Sequence, residues 1–539
     1  ILKMNVVIGV EISAFTLAET VGLFAVIFLL IFFNSVRLIY MVRPAELLKG
    51  GQIGEKMPKT RWILALLGVV TLAGGYILAL KADNVLTGLN TFFVAVLLVI
   101  VGTFALFTAG SIAFLKMLQR NKRYYYKTNH FISISGMIYR MKQNAASLSL
   151  ICIMSTGVLL LISSTTSLYV GQEHSLYLRY PKEFKLSLSL GEVPDDSKTF
   201  EKELKEIGTY AEDYLKDNKI ATQNAAGQTV IEAAALQKDG NVQITSSRNG
   251  SSEDFSDLCM VQAITLEDYN REAKKDETLE DREALVFFED SPIQQETFSI
   301  NDMHWKVRQL SADSTMEDSG LKFYVTPVYR IVVKDFAQLQ EIWKINKEAY
   351  GDHASQVKYE YSFDVDLSEE KIQKLEKSLN AYLGEQKNAP HAFFYGIETR
   401  TEGRAEFYSL YGGLFFLGIF LGLLFVMATV LIIYYKQISE GYEDKERFAI
   451  LKKIGMERGE INASIRSQVL MVFFLPLAAA GIHSCFAFHL VKEILVGGFG
   501  LQDVGLLVIC AVLTFLAFAV FYVIVYLITA REYYKIVSE

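Results

Sequence analysis

The sequence predicts an all-α polytopic membrane protein that carries a large α+β domain outside the bilayer, and three observations predict it. Hydrophobic residues make up 51% of the 539, with 8 prolines and a mean hydropathy of +0.25, which places the chain among membrane proteins. Seven runs are apolar over the ~20 residues that a helix needs to cross a bilayer core. Between the fourth and fifth runs lies a long acidic stretch whose apolar residues are periodic.

The runs fall at roughly 19–36, 62–80, 92–115, 147–169, 413–434, 469–490 and 506–529. In the second, Gly68, Gly74 and Gly75 lower helix propensity without interrupting the run, and such small residues are common where membrane helices pack closely. Lys and Arg set the orientation, because cytoplasmic loops are enriched in them. Arg37, Arg43, Lys49, Lys56, Lys59 and Arg61 occupy the first loop. Lys116, Arg120, Lys122, Arg123, Lys127, Arg140 and Lys142 precede the fourth span with no acid among them. Lys436, Lys445, Arg447, Lys452, Lys453, Arg458 and Arg466 follow the fifth span, and Arg531 and Lys535 the seventh. With these segments cytosolic, all seven spans alternate and Ile1 lies outside. Ile1 is not Met and no charged n-region with a cleavage site follows it, so the natural start is expected upstream; if the intact protein begins in the cytosol, an odd number of further spans is expected there.

The stretch from about 172 to 408 is then extracellular; it carries about 45 acidic and about 28 basic residues, a balance near −17. Such a field modestly concentrates cations, although salt confines it to about 8–10 Å, and it also simply keeps a domain soluble. Phe184, Leu186, Leu188 and Leu190 alternate with polar residues, as do Val357, Tyr359, Tyr361, Phe363 and Val365, so both segments read as half-buried strands. Ser368 is placed to cap a helix with Ile372, Leu375 and Leu379 on one face, and Asp335 one with Phe336, Leu339 and Trp343. An α+β domain of one or two lobes follows, with residues 237–257 as a surface loop and candidate lobe boundary. Only Cys259 lies in this domain, so no disulfide can form within it; this usage suits a bacterium. The expected division is spans over 1–170, the external domain over 171–410, and spans over 411–539 that include a cytoplasmic coupling helix at 443–456.

No phosphate-binding loop of the G-x-x-x-x-G-K-[ST] kind is present, and no H-E-x-x-H, C-x-x-C or G-x-S-x-G, so no catalytic site, metal centre or bound cofactor is expected. Ionisable groups are nearly absent from the spans, which leaves no coupling-ion site, so work has to come from a partner. His483, shortly after Pro476, reads either as a proton-linked site or as a structural histidine bonding a neighbouring helix near a proline kink, with the second favoured. Gly418 and Gly422 form a G-x-x-x-G that lets a helix approach closely, whether to slide or to pack statically.

The segment 439–456, SEGYEDKERFAILKKIGM, carries the functional information. Glu446 to Met456 puts Phe448, Leu451 and Ile454 on one helical face, with Lys452 and Lys453 near a C-terminus that Gly455 is placed to stop. A short stiff amphipathic helix suits a rigid body that is pushed by another, and it also suits a helix lying on lipid headgroups.

The segments IIYYKQISEGYEDKERFAILKKIGM at 432–456, GMIYRMKQNAASLSL at 136–150 and PLAAAGIHSCFAF at 476–488 resemble the permeases of BceAB-type antimicrobial-peptide ABC transporters, within the FtsX and MacB-like permease superfamily. The resemblance covers essentially the whole chain. It implies ten spans in the intact protein, this chain beginning near the fourth, with the large domain between the seventh and eighth. It implies a cytosolic ABC ATPase dimer, which binds ATP and Mg, docking on coupling helices. One of these would be formed here by Glu446, Arg447, Phe448, Ile450, Leu451, Lys453, Ile454, Gly455 and Met456. It further implies a membrane histidine kinase as partner, and a role in freeing undecaprenyl-pyrophosphate lipid from peptides such as bacitracin or lantibiotics, both in resistance and in sensing; nucleic acid is not an expected partner. The alternatives are an FtsX-like regulator of a cell-wall hydrolase and a MacB-like or Lol-like exporter of peptide or lipoprotein.

Overall fold

The computed structural model describes residues 14–41, 61–82, 85–125, 128–238, 241–246, 257–288, 291–293, 295–308, 326–386, 392–453, 458–501 and 503–538. Among the described residues, seven helices are long and apolar enough to cross a membrane, one for each apolar run. In chain order the first helices are α1 (Ala14–Met41), α2 (Trp62–Leu80), α3 (Val85–Ala105), α4 (Ser111–Arg120), α5 (Lys122–Tyr125) and α6 (Thr128–Arg179). A π-helical turn, Leu106–Gly110, joins α3 to α4. After the sheet domain come α11 (Arg400–Lys453), α12 (Arg458–Glu493) and α13 (Val504–Ser538).

The apolar runs become helices because in hydrocarbon every backbone group must be satisfied within its own segment. Their packing is set by small residues. A Cβ on Gly75 would lie 2.8 Å from the Val99 side chain, and one on Gly102 2.8 Å from the Leu72 backbone, so α2 and α3 meet almost backbone to backbone. Within α12, Pro476 removes one helical donor. Close by, the Tyr522 hydroxyl of α13 donates to the Phe473 carbonyl at 2.9 Å, a buried bond that ties the two helices together beside the proline.

The sheet domain contains β1 (Phe184–Leu190), α7 (Ser197–Asp217), β2 (Thr222–Lys238), β3 (Asn241–Gln243), β4 (Leu258–Thr265), α8 (Leu266–Ala273), β5 (Glu283–Phe288), β6 (Ser291–Pro292), β7 (Thr297–Ile300), β8 (Met303–Val307), β9 (Val328–Val333), α9 (Phe336–Tyr350), β10 (Lys358–Val365), α10 (Glu369–Gln386) and β11 (Phe393–Thr399). The strand order is β11-β1-β10-β2-β3-β7-β8-β5-β9-β4, and β2 also pairs with β4, so the far part of the sheet closes on itself. One lobe is a split β-α-β arrangement of β1-α7-β2 and β10-α10-β11. The second lobe is inserted between its halves. The switch falls inside β2, whose N-terminal half pairs with β10 and whose C-terminal half, from Val230, pairs with β4. The lobe boundary therefore precedes the Ser- and Asn-rich segment expected to mark it, of which 247–256 lies outside the described residues.

One core runs under α7, α9 and α10, where Phe200, Leu204, Leu339, Ile342, Leu379 and Leu383 meet Phe184, Leu186 and Phe363 of the sheet. Asp335 caps α9 by accepting from the Gln338 amide at 3.1 Å, and α10 begins at Glu369 with Ile372, Leu375 and Leu379 buried. The opposite face is covered by α8, which lays Tyr269 on Val230, Leu285 and Phe287. Cys259 is buried in the first core, with its thiol pushed up to about 12 chiefly by burial.

Candidate coupling site

The segment expected to form a separate short helix is the continuous end of α11, which runs unbroken from Arg400 to Lys453. Glu446, Arg447, Phe448, Ile450, Leu451 and Lys453 all lie on this helix, and Ile450 is 58% exposed. Ile454, Gly455 and Met456 lie outside the described residues. The helix continues through Gly441, which packs against α13, where a Cβ would lie 3.4 Å from Ile536.

At 1.5 Å per residue, α6 with its 52 residues and α11 with its 54 are each about 80 Å long, against ~30 Å of bilayer core. They lie antiparallel in one register throughout. Arg140 faces Asp444, and Asn144 faces Glu440. Further along, Ile162 faces Gly422, Thr165 faces Gly418, Tyr169 stacks on Phe415 and Tyr180 covers Gly403. Each advance along α6 is matched by the same retreat along α11. A Cβ at Gly418 would collide with the Thr165 side chain, and one at Gly422 would lie 2.9 Å from Ile162, so the G-x-x-x-G marks a close approach of these two helices.

At the sheet end both helices enter neighbouring strands, α6 leading into β1 and α11 leaving β11, and β1 pairs with β11 from Phe184↔Thr399 to Leu190↔Phe393. The Glu183 carboxylate accepts from the Thr401 amide at 3.0 Å and its hydroxyl at 2.7 Å. The Arg400 guanidinium donates to the Tyr180 carbonyl at 2.7 Å and to the Pro181 carbonyl, and lies 4.7 Å over the Tyr177 ring. Sequence reading missed this neck. Its only signal was an Arg-Thr pair ending a strand and opening a helix.

His483 is buried, and the described residues account for both of its ring nitrogens. The Tyr76 hydroxyl of α2 lies 2.5 Å from Nδ1, and Thr103 Oγ1 of α3 lies 3.0 Å from Nε2. Thr103 gives its own proton to the Val99 carbonyl at 2.6 Å, so Nε2–H donates to Thr103 and Nδ1 accepts from Tyr76, the neutral ring. This arrangement is a structural link of α12 to α2 and α3. Among the described residues there is no cluster of three or more His, Cys, Asp or Glu that could hold a metal.

Residues 415–537 match the FtsX-like permease C-terminal family. The chain is 26% identical over 484 residues, 85% of its own length and 67% of the relative's, to the ABC transporter permease protein YxdM of Bacillus subtilis (strain 168). It is 24% identical over 487 residues, 87% of its own length and 69% of the relative's, to the bacitracin export permease protein BceB of the same organism. Against the bacitracin export permease protein BceB of Halalkalibacterium halodurans the figures are 22% over 431 residues, 79% and 62%. The chain is thus a membrane protein whose last three spans match the C-terminal model of the FtsX-like permeases, and it is similar over most of its length to ABC transporter permeases of the BceB type.

Proposed function

We propose that this chain is the permease subunit of an ABC transporter that protects a bacterial plasma membrane against cell-wall-targeting peptides such as bacitracin or lantibiotics. A cytosolic ATPase dimer, binding ATP and Mg, would dock on residues 446–456, and the sheet domain would face outward toward peptide bound to an undecaprenyl-pyrophosphate lipid. A membrane histidine kinase reading the state of the permease fits the same arrangement. The observation that carries the reading is the pair α6 and α11: two rods in one register that run from the 446–453 end of α11 to adjacent strands of one sheet. Closure of a nucleotide-bound dimer against such a rod displaces the sheet domain without a hinge in between.

The test is susceptibility of the host after deletion of the gene and its restoration as intact, Leu451→Asp or Ile454→Asp protein. Bacitracin, a lantibiotic and a pore-former without a lipid target are compared. Sensitisation to the lipid-targeting peptides alone, rescued by the intact form and not by the variants, is expected. Unchanged susceptibility with altered cell shape or lysis would replace this reading with hydrolase regulation.

A further inference from the structure

Three helices meet in a buried polar cluster just before the coupling segment. Arg140 of α6, 3% exposed, donates through Nη2 to the Asp444 carboxylate of α11 and to the Tyr533 hydroxyl of α13, the latter at 2.8 Å. The Tyr533 hydroxyl in turn donates to Asp444 Oδ2 at 2.6 Å, which closes a three-membered ring of bonds. One turn further, Asn144 donates to the Glu440 carboxylate, and both are buried. Burial works against the guanidinium charge, but Tyr533, Asp444 and Glu440 outweigh it and raise the Arg140 pKa above its ordinary value.

Such a cluster is a costly way to hold helices together, since apolar residues of similar volume commonly do as well or better. What apolar contact lacks is direction. Leu and Ile surfaces allow a helix to rotate or shift by a fraction of a turn, whereas an arginine bonded to two partners on different helices fixes the register of all three. The Arg140–Asp444 pair stands roughly 65 Å along α11 from the Arg400 neck, with the close glycine packing at Gly418 and Gly422 between.

We infer that Arg140, Asp444 and Tyr533 are positioning residues that clamp α6, α11 and α13 into one unit at the coupling end, so that a push on 446–456 moves all three helices instead of sliding α11 past α6. This rests on the coupling function proposed above. It assigns to Arg140 a role different from that of a basic residue resting among lipid headgroups.

The experiment compares the parent chain with Tyr533→Phe, which removes one hydroxyl, and with the triple variant Arg140→Met/Asp444→Leu/Tyr533→Phe, which replaces the whole ring by apolar volume and strands no hydroxyl. Each is expressed with its ATPase, and three readouts are taken: thermal melting, ATP hydrolysis in proteoliposomes and protection of the host against bacitracin. Both variants should melt like the parent and hydrolyse ATP at rates within about twofold of it, while protection falls about tenfold. Parent-level protection in either variant overturns the clamp, because a merely structural pair is replaceable by apolar packing. A parent chain that gives no protection at all overturns the proposed function instead. The clamp is then judged by amide exchange of the full chain in detergent, where Tyr533→Phe should speed exchange over 436–453 about tenfold and an unchanged rate refutes it.

Discussion

Glu183 and Thr401 close the neck of the molecule: a single carboxylate oxygen takes both the backbone amide and the hydroxyl of Thr401, fastening the exit of α6 to the start of α11. The same two segments are joined again by Arg400 and the Tyr180 carbonyl, so the sheet domain cannot tilt without dragging both helices.

Glu183→Ala should therefore lower stability by about 1–2 kcal/mol, the scale of charge-assisted bonds at a partly exposed site, and should leave α11 free to begin later than Arg400. Thermal unfolding of the full chain in detergent checks the first effect and amide exchange at 400–404 the second. A variant indistinguishable from the parent in both would show that the arginine alone holds the neck.

Gly418→Ala places a methyl group into the Thr165 side chain, and a cost of about 1–3 kcal/mol is expected from the enforced separation of α6 and α11. Thr165→Ala in the same chain should recover most of it. Full rescue by a change on the facing helix distinguishes this contact from a general intolerance of α11 to substitution.

For His483, replacement by Leu strands the Tyr76 hydroxyl in the membrane and should cost about 1–3 kcal/mol. Because both ring nitrogens are committed, protection by the parent should show no step assignable to this histidine between about pH 6 and 8. A step that His483→Leu removed, measured as peptide susceptibility against external pH, would restore the proton-linked alternative.

The sheet domain should also show a carboxylate-dependent acid response. Asp268 accepts from the Thr229 amide at 2.7 Å and from the Thr265 hydroxyl at 2.9 Å, and burial pushes its carboxyl up against the downward pull of Thr229, Arg271 and Thr265. An acid whose folded-state pKa is raised binds its proton more tightly when folded. Its contribution to stability is therefore greatest below the ordinary carboxylate range and declines as pH rises through the raised value. Asp268→Asn should flatten that part of the profile in melting temperature measured across mildly acidic pH; an identical slope in both proteins would assign it to other groups.

The membrane architecture was legible because hydrocarbon leaves the sequence little choice: each of the seven apolar runs became helical, the third as α3 and α4 joined by the π-helical turn. Strands at 184–190 and 358–365 were legible from alternation, since one face of each is packed under α7 and α10. The continuity of α11 was not legible. The charged composition of 439–456 reads as a separate cytosolic segment, whereas the helix runs through it and Gly441 packs there on Ile536 of α13. Arg140 was read as one more base beside the membrane because its partner Asp444 lies 304 positions away, a distance over which no local pattern carries information. Of the residues proposed for coupling, the composition was legible, and the structure adds that those from Glu446 to Lys453 continue a membrane-spanning rod.

The pairing of β1 with β11 has a further bearing on how this protein comes to exist. Tyr180 and Arg400 are bonded although 220 positions separate them, and closing an unfolded loop of that length costs about 5 kcal/mol in chain entropy. During synthesis α6 is inserted long before α11 emerges, and while the chain between them is loose their direct contacts must offset that entropy to hold one register. Folding of the sheet domain removes that freedom by bringing its first and last strands side by side. Assembly of the last three spans thus waits on an aqueous folding event, and defects deep in the sheet should surface as misassembled membrane helices.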